Sequence, residues 1–410
     1  MQKLSIKKQV SGPGTAACCN ADKGKNDCSP VMQSLGKPTV NSPEDDAPCC
    51  GPKQGPPSSP YERPGYRMCH FVAGFVETTL GAVPRIKTSL NFSDLVGTIR
   101  TRLGIVRDRY RVAPGLYCVG KPGPEASVLV TANYKLSFDT LRRELGGIDA
   151  WILVLDTRGV NVWCAAGKRT FSTDEIIRQV KRISLDTLVS HRELILPQLG
   201  APGVSSHKVK RGCGFKVIWG PIRASDLKIF LRNGRKADDT MRQLTFRTSE
   251  RIVLIPVELS LILKPSVAVL LAVFLLSGIS PDVFSISAAW FRGLKVAAAY
   301  QLGVLSGAVA VPIFLPWLPG RQFYLKGILT GIACAILIIF YLGDSITRLE
   351  SLTLMLLTTS VSSYAAMNFT GATPFTSPSG VEKEMRRAIP VQVIALTISI
   401  IAWVAAPFVG

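Results

Sequence analysis

The sequence is poor in histidine and lacks the short motifs that mark common ligand and metal sites. Its 410 residues include three histidines, His70, His191 and His207, and none belongs to a zinc-ligand spacing. No G-x-G-x-x-G follows a predicted strand, which argues against a dinucleotide ligand. No basic run is interleaved with aromatic residues, so nucleic acid is the least favoured partner. Its chemistry must therefore be sought in single residues and their local setting.

The N-terminal part also lacks large apolar residues. Met1–Lys8 is basic but has no apolar core behind it, so we do not expect a cleavable signal peptide. Residues 1–64 are rich in Gly, Pro, Ser, Asn and Lys, a composition that predicts a disordered tail. The ten cysteines of the chain have no regular spacing, which predicts reduced thiols in the cytosol.

Five of those cysteines lie in the tail: Cys18, Cys19, Cys28, Cys49 and Cys50. Thiolates are good ligands for soft metal ions, so the two adjacent pairs are compatible with metal capture. The absence of a zinc-ligand spacing instead favours cysteines that have no function in a tolerant tail.

The hydrophobic content of 47% and the mean hydropathy of +0.26 are high for a soluble protein and place part of the chain in a membrane. The change in composition comes near residue 257, and residues 257–410 form the predicted all-α membrane domain. Five apolar segments there are long enough to span a bilayer: residues 259–279, 296–318, 325–343, 351–370 and 388–410.

Charge at the ends of these segments predicts their orientation. Five basic residues near 321–326 and 383–387 fall on the side of the N-terminal domain, against three near 292–295 and 348 on the other side. We therefore expect a multi-pass protein of the cytoplasmic, inner membrane with its soluble domain in the cytoplasm. The loop Asn368–Arg387 lies on that same side and is rich in hydroxyls and glycine; a functional loop and a solvated connector are both compatible with it.

The net charge of +20 is concentrated in the soluble part. Nine of the 48 basic and six of the 28 acidic residues lie after residue 256, so the first 256 residues carry about +17. This excess suits an anionic membrane surface or an acidic protein partner.

Residues 65–256 alternate between strand and helix patterns, which predicts an α/β domain with a parallel sheet covered on both faces. Ligands of such sheets bind at the carboxyl ends of strands. The predicted strands are Val128–Tyr134, Trp151–Asp156, Leu194–Leu196, Phe215–Trp219 and Arg251–Pro256.

Asn161–Lys168, with the sequence Asn-Val-Trp-Cys-Ala-Ala-Gly-Lys, follows one of these strand ends and a turn at Arg158-Gly159. If Asn161 caps a short helix, its side chain accepts a hydrogen bond from the backbone about three residues on, and Cys164 lies in the first turn. The positive end of the helix would favour the thiolate of Cys164. The small residues after it would leave room for a large, flat partner. Core packing is the ordinary role of a lone cysteine, and a nucleophile or a metal ligand are the functional alternatives.

The same eight residues resemble the cap-helix motif N-(V/I)-W-C-A-A-G-K of the corrinoid protein of microbial mercury methylation, the HgcA family, at every position. The similarity continues through Val130–Asp139, Leu194–Gly203 and the Asn368 loop, and covers about residues 66–410. Parts of it are also similar to the large subunit of corrinoid iron-sulfur proteins.

The resemblance implies a Rossmann-like domain that binds a base-off corrinoid, such as cobalamin, with Cys164 as the catalytic residue and the lower axial ligand of cobalt. The implied activity is a corrinoid-dependent methyltransferase that passes a methyl group from methyl-Co(III) to inorganic Hg(II) and gives methylmercury. The residues it assigns to the cofactor are Thr131, Ala132, Asn133, Asn161, Val162, Trp163, Cys164, Ala165, Ala166, Gly167 and Lys168.

The implied partners are a ferredoxin-like reductant with two [4Fe–4S] clusters, a methyl-donating methyltransferase and membrane lipid. An alternative is a membrane-anchored corrinoid methyl carrier that serves another acceptor, as in acetyl-CoA synthesis. A third hypothesis, a heavy-metal transporter, is less favoured because the predicted spans contain no acidic residue or histidine at mid-membrane depth.

Overall fold

A computed structural model describes residues 54–59, 63–64, 69–107, 109–281, 283–373, 375–376 and 378–409. The prediction of a disordered, cysteine-rich tail therefore falls mostly outside the described residues, and so do all five tail cysteines. Residues 54–59, which the composition placed in that tail, do have a described contact with the rest of the chain. The amide of Gly55 donates to the carbonyl of Arg158 at 2.8 Å, so this segment contacts the turn after β5.

The described chain forms a soluble α/β part followed by long helices. The strands are β1 Val72–Thr78, β2 Gly81–Ile86, β3 Gly115–Val119, β4 Val128–Ala132, β5 Ala150–Leu155, β6 Glu193–Leu196, β7 Lys216–Trp219, β8 Ile279–Ser280 and β9 Val283–Phe284. The helices are α1 Phe92–Arg102, α2 Lys135–Glu144, α3 Val162–Gly167, α4 Thr173–Arg182, α5 Ser206–Cys213, α6 Leu227–Arg232, α7 Thr248–Ile252, α8 Ile255–Ser277, α9 Ile286–Leu305, α10 Val311–Phe314, α11 Phe323–Leu342, α12 Arg348–Asn368 and α13 Pro378–Val409.

The main sheet has seven strands in the order β1-β2-β3-β5-β4-β6-β7. Four neighbouring strands, β5, β4, β6 and β7, are parallel, as the alternating pattern predicts. The other half is mixed, because β3 is antiparallel to β5 and β1 is antiparallel to β2. The prediction of a wholly parallel sheet is therefore wrong, and a Rossmann-like assignment is not confirmed. The glycines and proline in β1 and β2 weaken their strand pattern in the sequence.

Helices cover both faces of the sheet, and every residue of β3, β4 and β5 is buried. Ile176 of α4 and Val209 of α5 pack on one face. Phe138 of α2 and Phe230 of α6 pack on the other. Strands covered in this way read as continuous apolar runs, which explains why β4 and β5 are visible in the sequence.

The prediction of a last strand over Arg251–Pro256 is wrong. Arg251 belongs to α7, and Pro256 occupies the first turn of α8, where a proline costs no hydrogen bond. A short apolar run does not distinguish a buried strand from the start of an apolar helix, and here it leads into the helix.

Four described helical stretches are long and apolar enough to cross a membrane: Thr248–Ser277, Ile286–Phe314, Phe323–Ser345 and Ser379–Val409. They correspond to four of the five predicted spans. The fifth predicted span, residues 351–370, lies in the 21-residue helix α12, but this helix is less apolar and a fifth span is not confirmed.

Helix α12 is less apolar because it contains many hydroxyl residues, and several of these form hydrogen bonds with neighbouring helices. Ser362 donates to the carbonyl of Gly327 at 2.7 Å, and the hydroxyl of Thr353 donates to the carbonyl of Ser399 at 3.2 Å. The amide of Gln392 donates to the hydroxyl of Ser363 at 2.8 Å. Small hydroxyl residues allow helices to approach closely and hydrogen-bond across their contact, as in membrane bundles.

The loop after α12 is shorter than the sequence predicts, because α13 already begins at residue 378. The ring of Phe369 in this loop lies 6.1 Å from the ring of Phe246, which belongs to the segment that joins the α/β part to α7. Phe246 also contacts Phe375 at 6.1 Å. The loop therefore packs against this joining segment through an aromatic cluster.

A buried ion cluster joins α1 to α2. The ammonium of Lys135 lies 2.8 Å from Asp94 and 2.6 Å from Asp139, and Arg142 contacts both carboxylates at 2.7 Å. Arg142 also donates to the carbonyls of Lys87 and Ser89. Two carboxylates thus balance two cations with nearly all donors satisfied, the condition under which buried charge is tolerated.

Burial opposes the ionisation of Asp94, but hydrogen bonds from Lys135, His70, the Asn91 backbone and Arg142 outweigh it and hold its pKa well below the ordinary value of 3.8. A depressed carboxyl pKa adds stability above the unfolded-state value, and that stability is lost as the pH falls through the folded-state value.

We predict that Asp94→Asn lowers the free energy of unfolding by about 3–5 kcal/mol at neutral pH, because it leaves Lys135 and Arg142 with an uncompensated buried charge. Chemical denaturation of the full chain in detergent measures the change. The matched control is Glu144→Gln, which removes an exposed ion pair with Arg143 on the same helix and should cost less than about 1 kcal/mol. The difference between wild type and Asp94→Asn should shrink below about pH 4; a difference independent of pH would contradict this account.

Candidate functional site

The buried side chain of Asn133 organises the turn that leads to the candidate site. Asn133 follows β4, and its carbonyl oxygen accepts hydrogen bonds from the amides of Thr157 and Gly159 at 3.1 and 2.9 Å. Its amide nitrogen donates to Asp156 at 3.1 Å. The turn after β5 needs this support because Arg158 and Gly159 both have positive φ, of 55° and 76°. A positive φ is unfavourable for arginine, so surrounding hydrogen bonds must hold it.

Asp156 holds the same turn from its other side. One carboxylate oxygen accepts from the amide of Arg158 at 3.1 Å, and the other accepts from the amide of Ser58 at 3.0 Å. The segment 54–59 therefore closes over the turn. Nothing in its composition indicates this contact, because it depends on backbone amides rather than on apolar side chains.

The turn leads into α3, the short helix that contains Cys164. Asn161 is its N-cap, and the side-chain oxygen accepts from the amide of Cys164 at 2.9 Å. This confirms the predicted cap and places Cys164 in the first turn. The helix has six residues, so its dipole is that of little more than one turn.

The small residues after Cys164 have a different role from the predicted one. Ala165 and Ala166 are buried, and a Cβ on Gly203 would lie 2.9 Å from the Cα of Ala166 and 2.2 Å from the carbonyl oxygen of Phe171. The alanines therefore allow the Gln198–Gly203 segment to pack closely against α3. Of the three small residues, only Gly167 faces open space, since a Cβ there would meet no atom within 4 Å.

Cys164 is half-buried and unpaired with other cysteines. Burial raises the pKa of its thiol, and the opposing effects of Asn161, Lys168 and Arg107 do not overcome it. Desolvation of the charged form therefore opposes the predicted preference for the thiolate at this helix end.

A cleft of about 400 Å³ opens beside α3 at the carboxyl ends of β4 and β6, where a sheet of this kind binds its ligands. Most of its lining is apolar. Hydroxyl and charged groups enter it from Thr131, Ser137, Thr140 and Arg223. A cleft of this composition suits a large organic ligand with a few polar groups at its edge.

The structure brings only part of the predicted set to this cleft. Thr131, Asn161, Val162 and Trp163 line it. Cys164 lies directly after the last of these but is not a lining residue. The other predicted residues that do not line the cleft are Ala132, Asn133, Ala165, Ala166, Gly167 and Lys168.

Two parts of the cleft lining were not predicted from the sequence: the residues of α2 and the residues that follow β7. Ser137 and Thr140 come from α2, and Gly220 and Arg223 follow β7. The position of Gly220 and Arg223 after a strand could have indicated them, because strand ends meet at this edge. The hydroxyls of α2 carry no signal that distinguishes them from a solvated helix face.

The metal-binding side chains of the described residues suit a metal that is already coordinated by a macrocycle better than a free metal ion. Among the described residues, no group of three or more His, Cys, Asp or Glu side chains could hold a metal ion. A corrinoid brings its own ring nitrogens, so a single sulfur such as that of Cys164 suffices as a protein ligand. The buried side-chain oxygen of Gln198, between the cleft residues Pro197 and Leu199 in the sequence, has no hydrogen-bond partner among the described residues.

Comparison with known proteins matches residues 88–231 to the family described as CO dehydrogenase/acetyl-CoA synthase delta subunit. The acetyl-CoA decarbonylase/synthase complex subunit gamma of Archaeoglobus fulgidus is 31% identical over 139 residues, 33% of this chain and 29% of the relative. The corrinoid/iron-sulfur protein large subunit of Moorella thermoacetica is 31% identical over 124 residues, 30% of this chain and 27% of the relative. The chain thus spans less than a third of the length of these relatives.

The family match, residues 88–231, includes α2, the turn, α3 and the cleft, but not the long C-terminal helices. Together, the matches support a corrinoid protein related to the CO dehydrogenase complex. The names of these relatives refer to the acetyl-CoA system, and they do not show the more specific relation to mercury methylation.

We predict that Gly203→Ala displaces α3 and destabilises the domain by about 1–3 kcal/mol, because the added methyl group overlaps backbone atoms of Phe171 and Ala166. Hydrogen exchange of residues 162–167 should accelerate at the same time. The control is Gly123→Ala, where a Cβ meets no atom within 4 Å and stability should change by less than about 0.5 kcal/mol. Unchanged exchange in α3 of Gly203→Ala would contradict the proposed packing.

Proposed function

We propose that this chain is a membrane-associated corrinoid methyltransferase in which Cys164 is the lower axial ligand of cobalt. The observation that carries the proposal is the position of α3: Asn161 caps this helix at the amide of Cys164, and the residues directly before Cys164 line a cleft at the carboxyl edge of the parallel strands. The match of this region to corrinoid and acetyl-CoA synthase proteins supports the same conclusion.

A bound corrinoid would supply a cobalt ion that carries a methyl group and gives it to an acceptor. The protein would hold the cofactor by contacts of Val162 and Trp163 and by hydrogen bonds from the hydroxyls of Thr131 and Ser137. The hydroxyl of Thr140 donates to the carbonyl of Leu136 at 2.8 Å, so its oxygen would accept a hydrogen bond from the ligand. The half-buried sulfur of Cys164 would lose its proton on ligation, as cysteine ligands do. Base-off binding is part of the proposal, because Cys164 would take the position of the nucleotide base.

The comparisons favour an acceptor of the acetyl-CoA pathway type. The matched relatives are named as subunits of acetyl-CoA decarbonylase/synthase or as part of a corrinoid/iron-sulfur protein. On this hypothesis the chain is a methyl carrier anchored at the membrane, and its acceptor is a metal centre or thiol of a partner enzyme.

The sulfur of Cys164 favours a second acceptor, inorganic Hg(II). As a thiolate ligand, Cys164 would donate electron density to the cobalt of a bound corrinoid, and this would favour transfer of a methyl group together with both bonding electrons. Hg(II) is an electrophile and accepts a methyl group in this form. The resemblance of Asn161–Lys168 to the mercury-methylation motif supports this acceptor.

Both acceptors require a methyl donor, and transfer of the methyl group to Hg(II) with both bonding electrons would also require an external reductant before the corrinoid could be methylated again. The described cysteines, Cys69, Cys118, Cys164, Cys213 and Cys334, are all free, and no described cluster of three or more metal-binding side chains could hold an iron-sulfur centre. We therefore propose a ferredoxin-like partner with two [4Fe–4S] clusters, whose acidic surface would match the charge of about +17 on residues 1–256. A separate methyltransferase would load the methyl group.

The proposed location is the cytoplasmic, inner membrane with the α/β part in the cytoplasm. The four long apolar helices support membrane association, and the excess of basic residues near residues 321–326 and 383–387 supports the orientation. Transport of a heavy metal is the weakest alternative, since the described part of the helices offers no cluster of metal ligands.

We predict that Cys164→Ala abolishes methyl transfer and shifts the visible spectrum of the corrinoid-loaded protein, because the metal loses its sulfur ligand. Purified full-length protein would be loaded with corrinoid, methylated, and offered Hg(II) or purified acetyl-CoA synthase. The matched control is Cys213→Ala, which removes another half-buried thiol of the same domain, one that donates to the carbonyl of Val209. The control should keep both spectrum and activity.

Methylmercury formation by wild type and its loss in Cys164→Ala would establish the mercury acceptor. Methyl transfer to acetyl-CoA synthase alone would establish the carrier. An unchanged spectrum and activity in Cys164→Ala would refute sulfur ligation and with it the proposed site.

We further predict that Cys164→His keeps some cobalt ligation but loses most of the activity, because neutral imidazole donates less charge than thiolate. The measurements are the visible spectrum, which should differ from both wild type and Cys164→Ala, and the rate of methyl transfer. A rate equal to that of wild type would show that the charge of the sulfur does not matter.

A further inference from the structure

Helix α1 exposes an apolar face to the outside of the α/β part. Phe92, Leu95, Ile99 and Leu103 follow one another at helical spacing along this face and are 80%, 55%, 49% and 43% exposed. On the opposite side of the helix, Asp94 belongs to the buried ion cluster. The fold therefore fixes α1 with its apolar residues directed away from the protein core.

Two arginines flank this face. With 100° per residue, Arg100 and Arg102 lie about 80° to either side of the direction in which Phe92 points. An apolar face bordered by basic residues on both sides is the pattern of a helix that lies in a membrane interface, where the arginines reach anionic headgroups. The opposite, inward face carries Asp94, the carboxylate that α1 contributes to the ion cluster.

The C-terminal end of α1 lies beside the first candidate membrane helix. A Cβ on Gly104 would be 2.6 Å from the hydroxyl oxygen of Ser260 in α8. From Ser260 to Ser277, the end of α8, the helix rises about 26 Å, close to the hydrocarbon thickness of about 30 Å. Ser260 thus marks the depth at which α8 would enter the hydrocarbon, and the end of α1 is at that depth.

We propose that α1 is an interfacial helix whose apolar face inserts into the cytoplasmic leaflet of the same membrane, with anionic phospholipid as its partner. This inference rests on the proposed membrane span of α8 and goes beyond the methyltransferase proposal. Insertion covers Phe92, Leu95, Ile99 and Leu103, and the exposed Ile105 just after them extends the same surface towards α8. Arg100 and Arg102 contact the phosphate groups.

Lipid is favoured over a protein partner by continuity with α8. The residues of α8 that follow Ser260 include Leu261 and Leu263, which are as exposed as the residues of α1. If α8 spans the bilayer, lipid covers these leucines, and the apolar surface of α1 begins where theirs does. A separate protein would have to occupy the position at which the headgroups already lie.

Photo-crosslinking of the full-length chain tests the proposal. The photoreactive residue p-benzoylphenylalanine would replace Phe92 or Ile99, both exposed, so that folding is preserved. The protein would be reconstituted into vesicles of phosphatidylethanolamine and phosphatidylglycerol, irradiated, and analysed by mass spectrometry for peptide–lipid adducts. Leu263 is the positive control in α8. Thr187 is the negative control, since it is exposed just before β6 and lies at the edge of the sheet opposite the carboxyl ends.

Lipid adducts at positions 92, 99 and 263 but not at 187 are the expected result. Replacing phosphatidylglycerol with phosphatidylcholine should reduce the adducts at 92 and 99 more than those at 263. Adducts at 263 alone, or crosslinks from 92 and 99 to another protein chain, would overturn the inference and leave the membrane span intact. The absence of adducts at 263 as well would overturn both the span and the interfacial helix, whereas the chemistry of Cys164 would be unaffected.

Discussion

The buried carboxamide of Asn133 is the constraint on which the candidate site depends. It connects the end of β4 to the turn after β5, and it satisfies two amides of a turn whose arginine has an unfavourable positive φ. These bonds reinforce a turn that Gly159 and Asp156 also favour, and they help to hold Arg158 at its positive φ. The turn in turn sets the direction from which Asn161 starts α3. The position of one sulfur thus follows from hydrogen bonds made by an amide at the end of the neighbouring strand.

Local features of this site could be predicted from the sequence, and features that depend on distant partners could not. The cap by Asn161 involves groups three residues apart, so the pattern alone indicates it. The role of Ala165 and Ala166 depends on Gly203, which lies far along the chain: their small size suggests room for a ligand, but it serves close packing. The pKa of Cys164 has a distant cause as well, because the cap is local whereas the desolvation that raises this pKa comes from the surrounding fold.

The same distinction applies to the fold. Strands β4 and β5 are buried on both faces and are continuous apolar runs, so their positions could be predicted, as could the most apolar helices. The antiparallel placement of β3 next to β5 is a property of pairing, which has no counterpart in the periodicity of a single strand. The length of helix α12 is evident from the sequence, but its hydroxyl residues lower the mean hydropathy from which a membrane span is predicted. In the fold, these hydroxyl groups find hydrogen-bond partners on other helices.

The ion cluster between α1 and α2 has a mechanical consequence. Lys135 and Arg142 of α2 both pair with the α1 carboxylate of the ion cluster. Between them in α2 lie Ser137 and Thr140, which line the cleft. Withdrawing α1 would strand buried charge, so the two helices move as one body rather than sliding past each other. A displacement of α1 is therefore transmitted to the α2 residues that line the cleft. The shape of the cleft thus depends on what contacts the outer surface of α1.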